Sequence, residues 1–135
     1  MRRAVLDPSV LVSALITPSG PPARLLAQAR EARFELVVSP LLLKELETEL
    51  FREKFRRYVT RDQVRDYLET LRQEGTFVRD PKGSAPITCS DPEDEYLLAL
   101  AYSQKAILVS SDSDLLEIAS GAPICAPRDF LAGSY

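Results

Sequence analysis

The chain has 135 residues, 45% of them hydrophobic, a formal charge of −3 at pH 7 and no histidine. A chain of this size buries roughly 65 to 70% of its unfolded surface without help from disulfides or a structural metal, so a single domain over residues 1–135 is expected. Serine–histidine and cysteine–histidine nucleophile pairs, histidine bases and histidine-bound zinc are excluded, and the acidic balance argues against a surface that is basic throughout.

In chain order, AVL (4–6) is the first candidate strand, and Asp7-Pro8 then starts a helix, with a capping side chain before a proline suited to the first helical position. TPSGPP (17–22) reads as a loop, and FELVV (34–38) is a clear second strand. Ser39-Pro40 opens the next helix, in which Leu43, Leu46 and Leu50 keep one face apolar. Thr60 with Gln63 forms a capping box before a helix that carries Val64, Leu68 and Leu71 on one side. TFV (76–78) is a third strand, and DPKGSAPITCSDP (80–92) is a long loop. Asp91-Pro92 starts a helix with Leu97, Leu100 and Ala101 inward, AILVS (106–110) is the fourth strand and PIC (123–125) the fifth. Strands alternating with helices predict an α/β fold on a mainly parallel, about five-stranded sheet.

The two cysteines, Cys89 and Cys125, form no C-x-x-C pair, which predicts neither zinc nor a redox motif and fits a reduced, cytoplasmic protein. MRR precedes an apolar stretch, but Asp7 and Pro8 interrupt it and no apolar run approaches the length of a membrane span. The chain therefore reads as soluble, unprocessed and away from membranes.

In a parallel sheet the covering helices begin near the carboxyl edge of the strands, where ligands bind. Asp7 ends the first strand, Glu45 lies in the second turn of the helix after FELVVS, Asp91 and Asp94 fall in the first turn of a later helix, and Asp112 and Asp114 follow AILVS. Separate segments thus deliver acids to one rim, where their mutual repulsion is relieved by a divalent cation such as Mg²⁺ or Mn²⁺. Taken singly, Asp7, Asp91 and Asp112 are better explained as helix caps than as ligands, and Asp94 reads equally well as a capping-box partner of Asp91; the metal reading rests on their convergence. Glu45 lies beyond the first turn, on one row with Glu49 and Glu53, where the alternative is a solvated acidic stripe.

FREKFRRYVTRDQVR (51–65) interleaves Arg52, Lys54, Arg56, Arg57 and Arg61 with Phe55 and Tyr58, a composition able to hold a phosphate backbone and stack bases. Its alternative is a charged helix surface laced by pairs such as Glu53 with Arg57.

The succession LDPSVLVSAL, SPLLLKELETEL, DPEDEYLLALA and ILVSSDSDLL, from about residue 3 to about 128, resembles the PIN domain, most closely the toxin components of toxin–antitoxin systems. The resemblance implies a three-layer α/β/α sandwich and an acidic site that cleaves RNA with Mg²⁺ or Mn²⁺, leaving 5′-phosphate and 3′-hydroxyl ends. Its acids fall on Asp7, Glu45, Asp94 and Asp112, with Asp114 accessory and Asp7, Asp94, Asp112 and Asp114 as the metal ligands. Ser9 and Ser110 are the supporting hydroxyls. It also implies a small antitoxin partner and a homodimer. Where the family usually reads Asp-Thr-Asn, this chain has Asp7-Pro8-Ser9, so a domain that binds RNA or protein without cutting is the second reading. A phosphoacceptor receiver domain ranks lower: it pairs two acids after its first strand and places a lysine after its last, where this chain has one acid and Arg128.

Overall fold

The computed structural model describes residues 2–86, 92–118 and 122–133. Asp91 and Cys89 lie outside them, and so does the cap expected at Asp91. Within them the five expected strands form: β1 (Arg3–Leu6), β2 (Glu35–Val38), β3 (Thr76–Phe77), β4 (Ile107–Val109) and β5 (Ile124–Cys125). All pair in parallel, in the order β3-β2-β1-β4-β5. Between them run α1 (Pro8–Ile16), α2 (Pro21–Arg30), α3 (Pro40–Leu50), α4 (Arg61–Glu74), α5 (Glu95–Ser103), α6 (Ser113–Leu116) and α7 (Pro127–Ala132). The architecture is the expected α/β/α sandwich.

Strand order is what positions the site. The chain leaves β1 for β2 on one side and later places β4 on the other, so the sheet reverses its winding between β1 and β4. The carboxyl ends of those two strands flank a topological switch point, the usual crevice for ligands in open α/β sheets. Leu6 is in register with Val109, and Asp7 donates its N–H to the Val109 carbonyl at 3.0 Å, so the residues that follow each strand meet.

The caps follow local chemistry. Asp7 accepts from the Ser9 N–H at the start of α1, Ser39 from Leu42 at the start of α3, and Thr60 and Gln63 bond reciprocally at the start of α4. Gly75 joins α4 to β3 where a Cβ would stand 2.6 Å from the Leu71 carbonyl oxygen, a clash that glycine avoids. Buried strand residues meet one continuous apolar core. The nearly all-apolar α5 packs directly on β1 and β4, with Leu97, Leu98, Leu100 and Ala101 buried. Phe34, just before β2, meets Phe130 of α7 edge to face at 5.0 Å.

Four local expectations need correction. Leu42 rather than Leu43 is the buried partner of Leu46 and Leu50, because α3 is rotated so that Leu43 lies at the flank of the core. Pro21 and Pro22 belong to α2 and not to a loop, since two prolines fit the first helical positions, where no N–H is needed. The helix after the long loop begins at Glu95, preceded by a tighter 3-10 turn over Pro92–Asp94, so Asp94 stands at the junction. Residues 51–65 are not one charged helix: Glu53–Phe55 is a short 3-10 turn, and α4 starts only at Arg61.

Candidate active site

Asp7 is the anchor of the site. Its side chain is buried, 7% exposed, at the corner between β1 and α1. Oδ1 accepts from the Ser9 N–H at 2.9 Å and from the Ser9 hydroxyl at 3.1 Å, and Oδ2 accepts from the Ser110 hydroxyl at 2.8 Å. A carboxylate offers about four lone-pair sites, so Asp7 is held in one orientation with room for one further partner, on Oδ2. Ser110, buried just after β4, accepts the Asp112 N–H at 3.0 Å through the same hydroxyl. Asp112 in turn caps α6 by accepting from Asp114 N–H at 2.9 Å.

Asp7, Glu45 and Asp94 line one cleft of about 200 Å³, together with Ser9, Tyr96, Glu49 and Glu93. Asp112 adjoins it through Ser110, whereas Asp114 is exposed and points its backbone, not its carboxylate, at this chain of bonds. On α3 the acidic row divides. Glu49 is paired with Arg52 at 2.9 Å, while Glu45 has no hydrogen bond or ion pair among the described residues. The expected Glu53–Arg57 pair is not formed among them either.

Three residues escaped the sequence reading. Glu93 joins the cleft from the 3-10 turn before α5. Asp80, from the long loop, reaches the start of α3, where Oδ2 accepts the Leu41 N–H at 3.0 Å and Oδ1 is buried with no hydrogen-bond partner among the described residues. Tyr96, in the first turn of α5, lines the cleft, and its buried hydroxyl likewise has no hydrogen-bond partner among the described residues. Burial lifts the Tyr96 phenol well above its ordinary range, and the carboxylates of Glu45, Asp7, Asp94 and Asp80 lift it further. The acids thus act on one side chain together, although only a hydrophobic run with a tyrosine was visible in the sequence.

This donor set is all oxygen. It fits a hard divalent cation held by one or two carboxylates and by water, the usual arrangement for Mg²⁺. Among the described residues no three acidic or thiol side chains close around one point, so an all-protein cage is not what the cleft offers.

The basic segment lies past the end of α3. Arg52, Lys54, Arg56, Arg57 and Arg61 are exposed, with Lys54 5.0 Å from the Phe55 ring, Arg57 5.7 Å from Tyr58 and Arg61 5.9 Å from Phe51. A cleft of about 380 Å³ beside it is lined by Phe51, Arg56, Val59 and Arg61.

The family model for the PIN domain matches residues 3–114. This chain belongs to the PIN domain family. Members are in general nucleases that use divalent metal ions. An uncharacterized protein of Methanocaldococcus jannaschii is 28% identical over 116 residues, spanning 86% of this chain and 74% of the relative. Among solved structures, a chain of VapBC2 from Rickettsia felis, bound to a DNA fragment from its promoter, aligns with TM-score 0.64 and 12% identity over 92% of this PIN domain and 98% of that chain. A PilT N-terminus domain protein from Sulfolobus solfataricus aligns with TM-score 0.58 and 18% identity, over 98% and 92% of the two chains. A Pyrobaculum aerophilum protein, PAE2754, aligns with TM-score 0.59 and 16% identity, over 99% and 89%. These likenesses show the fold. Among the described residues of the domain, no helix is long and apolar enough to cross a membrane.

Proposed function

We propose that this PIN domain is a divalent-metal-dependent endoribonuclease, and that it serves as the toxin of a toxin–antitoxin pair. The observation that carries the reading is the convergence of Asp7, Glu45 and Asp94 on one cleft, with Asp112 tied to Asp7 through Ser110. Asp7, Asp94 and Asp112 would hold one or two Mg²⁺ or Mn²⁺ directly or through water, with Asp114 accessory. Once bound, the ion lowers the pKa of a coordinated water and neutralises charge on the scissile phosphate, two tasks that a chain without histidine must assign elsewhere.

The protein's own part is orientation. Ser9 and Ser110 fix Asp7 so that only its remaining Oδ2 site faces outward. Ser9 stands where the family usually has asparagine, and its N–H and hydroxyl both support the same oxygen. Glu45, unlike Glu49, keeps a carboxylate uncommitted, and this suits it to orient the attacking water. Arg52, Lys54, Arg56, Arg57 and Arg61, just past the end of the helix that carries Glu45, offer cations beside aromatic faces to the RNA strand. Arg52 contributes least, because Glu49 already holds it.

The test is cleavage of a fluorogenic RNA with Mn²⁺, with Mg²⁺ and with EDTA, alongside calorimetric titration of Mn²⁺. Asp94→Asn should abolish cleavage and weaken Mn²⁺ binding while circular dichroism stays unchanged. Undiminished Mn²⁺-dependent cleavage by that variant would overturn the assignment. RNA binding without cleavage would favour the second reading, a binding module, which the serine at position 9 supports. The toxin role draws on the resemblance and on the VapBC2 likeness. A short adjacent reading frame encoding a DNA-binding fold, whose product co-purifies with this chain, tests it. A homodimer is part of the same proposal and is read by light scattering.

A further inference from the structure

The carboxyl edge of the sheet offers a second cavity beside the acidic cleft. Ser111 stands between Ser110, whose hydroxyl holds Asp7, and Asp112, and it lines a space of about 400 Å³, against about 200 Å³ for the acidic cleft. Pro21 and Pro22 at the start of α2 also line it, with Pro127, Arg128 and Asp129 at the start of α7. α7 follows β5, which lies two places from β1 in the sheet, roughly 10 Å at ordinary strand spacing. A nucleotide next to one whose phosphate sits at Asp7 can reach this space.

The walls suit a base better than a phosphate. Helix starts ordinarily offer unpaired N–H groups to anions, but Pro21, Pro22 and Pro127 remove such donors from both helices and present apolar ring faces instead. Unstacked bases of single-stranded RNA are held against apolar or aromatic faces and read by hydrogen bonds along their edges. The charged side chains here are of opposite kinds. Arg128 carries only donors and Asp129 only acceptors; both are exposed, and neither makes a hydrogen bond or ion pair among the described residues. Elsewhere neighbouring charges are spent on each other, as Arg52 is on Glu49 and Arg33 on Glu31. Guanine alone among the four RNA bases sets two acceptors, O6 and N7, beside two donor groups, N1–H and the N2 amino group.

We infer that this cavity is a base-specificity subsite that seats a guanine next to the scissile phosphodiester, with the Arg128 guanidinium donating to O6 and N7 and the Asp129 carboxylate accepting from N1–H and the N2 amino group. The inference rests on the ribonuclease reading above. Proline faces hold any base, so the choice among bases lies with the two charged side chains.

The test is cleavage of a sequence-randomised RNA pool with Mn²⁺ present, the cut sites read by sequencing, followed by short RNAs that differ only in the base beside one cut bond. Guanine should be favoured roughly tenfold or more in kcat/KM over the other bases, the discrimination typical of a good bidentate contact. Arg128→Ala and Asp129→Asn should each erase most of that preference with Tm unchanged, because both side chains are exposed. Base analogues separate direct contact from a general effect. 7-Deazaguanine, which lacks the N7 acceptor, should slow the wild type but not Arg128→Ala, and hypoxanthine, which lacks the N2 amino group, should slow the wild type but not Asp129→Asn. If the wild type cuts beside all bases alike, or its guanine preference survives both substitutions, the subsite is overturned and the ribonuclease reading stands. A loss equal for all four bases marks a contact with the RNA backbone and also overturns it. If the pool stays uncut, the ribonuclease reading fails first and this inference falls with it.

Discussion

Ser110 donates a 2.8 Å hydrogen bond to Asp7 across 103 positions of sequence. The same hydroxyl accepts the Asp112 N–H, so one buried serine joins the end of β1 to the start of α6. It forms the crossbar of the acidic rim, because β1 and β4 are neighbours in the sheet and both end there.

Ser110→Ala should therefore lower stability and function together. It leaves Asp7 Oδ2 without its buried donor and the Asp112 N–H without its acceptor, at a cost of roughly 1 to 3 kcal/mol. Urea denaturation reads that cost. Cleavage should fall further than the folded fraction does, since the anchor of the site is freed to rotate. Unchanged urea midpoints would show that water replaces the crossbar.

The basic segment predicts a salt signature. Replacing Arg56, Arg57 and Arg61 with glutamine should raise KM for RNA and flatten its dependence on salt, by a slope of roughly 0.7 for each phosphate no longer neutralised. These side chains are exposed, so each change should move stability by no more than about 0.5 kcal/mol. An unaltered salt slope would remove this surface from the RNA path.

Alkaline pH should unfold the protein by way of Tyr67. Its hydroxyl donates to the Leu11 carbonyl at 2.6 Å, and burial raises its pKa above the ordinary value of 10.0. Above pH 10 the unfolded chain releases this proton while the folded chain retains it. The folded state then binds more protons, so stability falls as pH rises. Below pH 10 the contribution is fully present. Tyr67→Phe should lose about 1 kcal/mol at pH 8 from the missing hydrogen bond yet decline less steeply from pH 10 upward, as followed by urea titrations at both ends. Tyr96, raised in the same direction, keeps part of the slope in that variant. Parallel declines would refute the Tyr67 contribution.

What the amino-acid sequence determined by itself was local. The five strands announce themselves as short apolar runs, and the caps at Asp7, Ser39 and Thr60 lie within three residues of the N–H groups they satisfy. Acids placed just after strands could be assigned to one edge, because parallel topology sends every strand the same way. The tertiary structure alone decided which acids share a cleft, which strand lies beside β1, and which partners are spent. Leu42 displaced Leu43 because helix rotation is set by packing against the sheet. Asp80 reached the start of α3 across 39 positions, and Glu49 was claimed by Arg52 while Glu45 stayed uncommitted. Tyr96 looked like one more apolar residue of α5, since nothing in the order of residues tells that its hydroxyl will be buried with no partner among the described residues. Hydrogen bonds within a turn are written in sequence spacing, whereas those across the sheet depend on strand order, which emerges only when the whole core has packed.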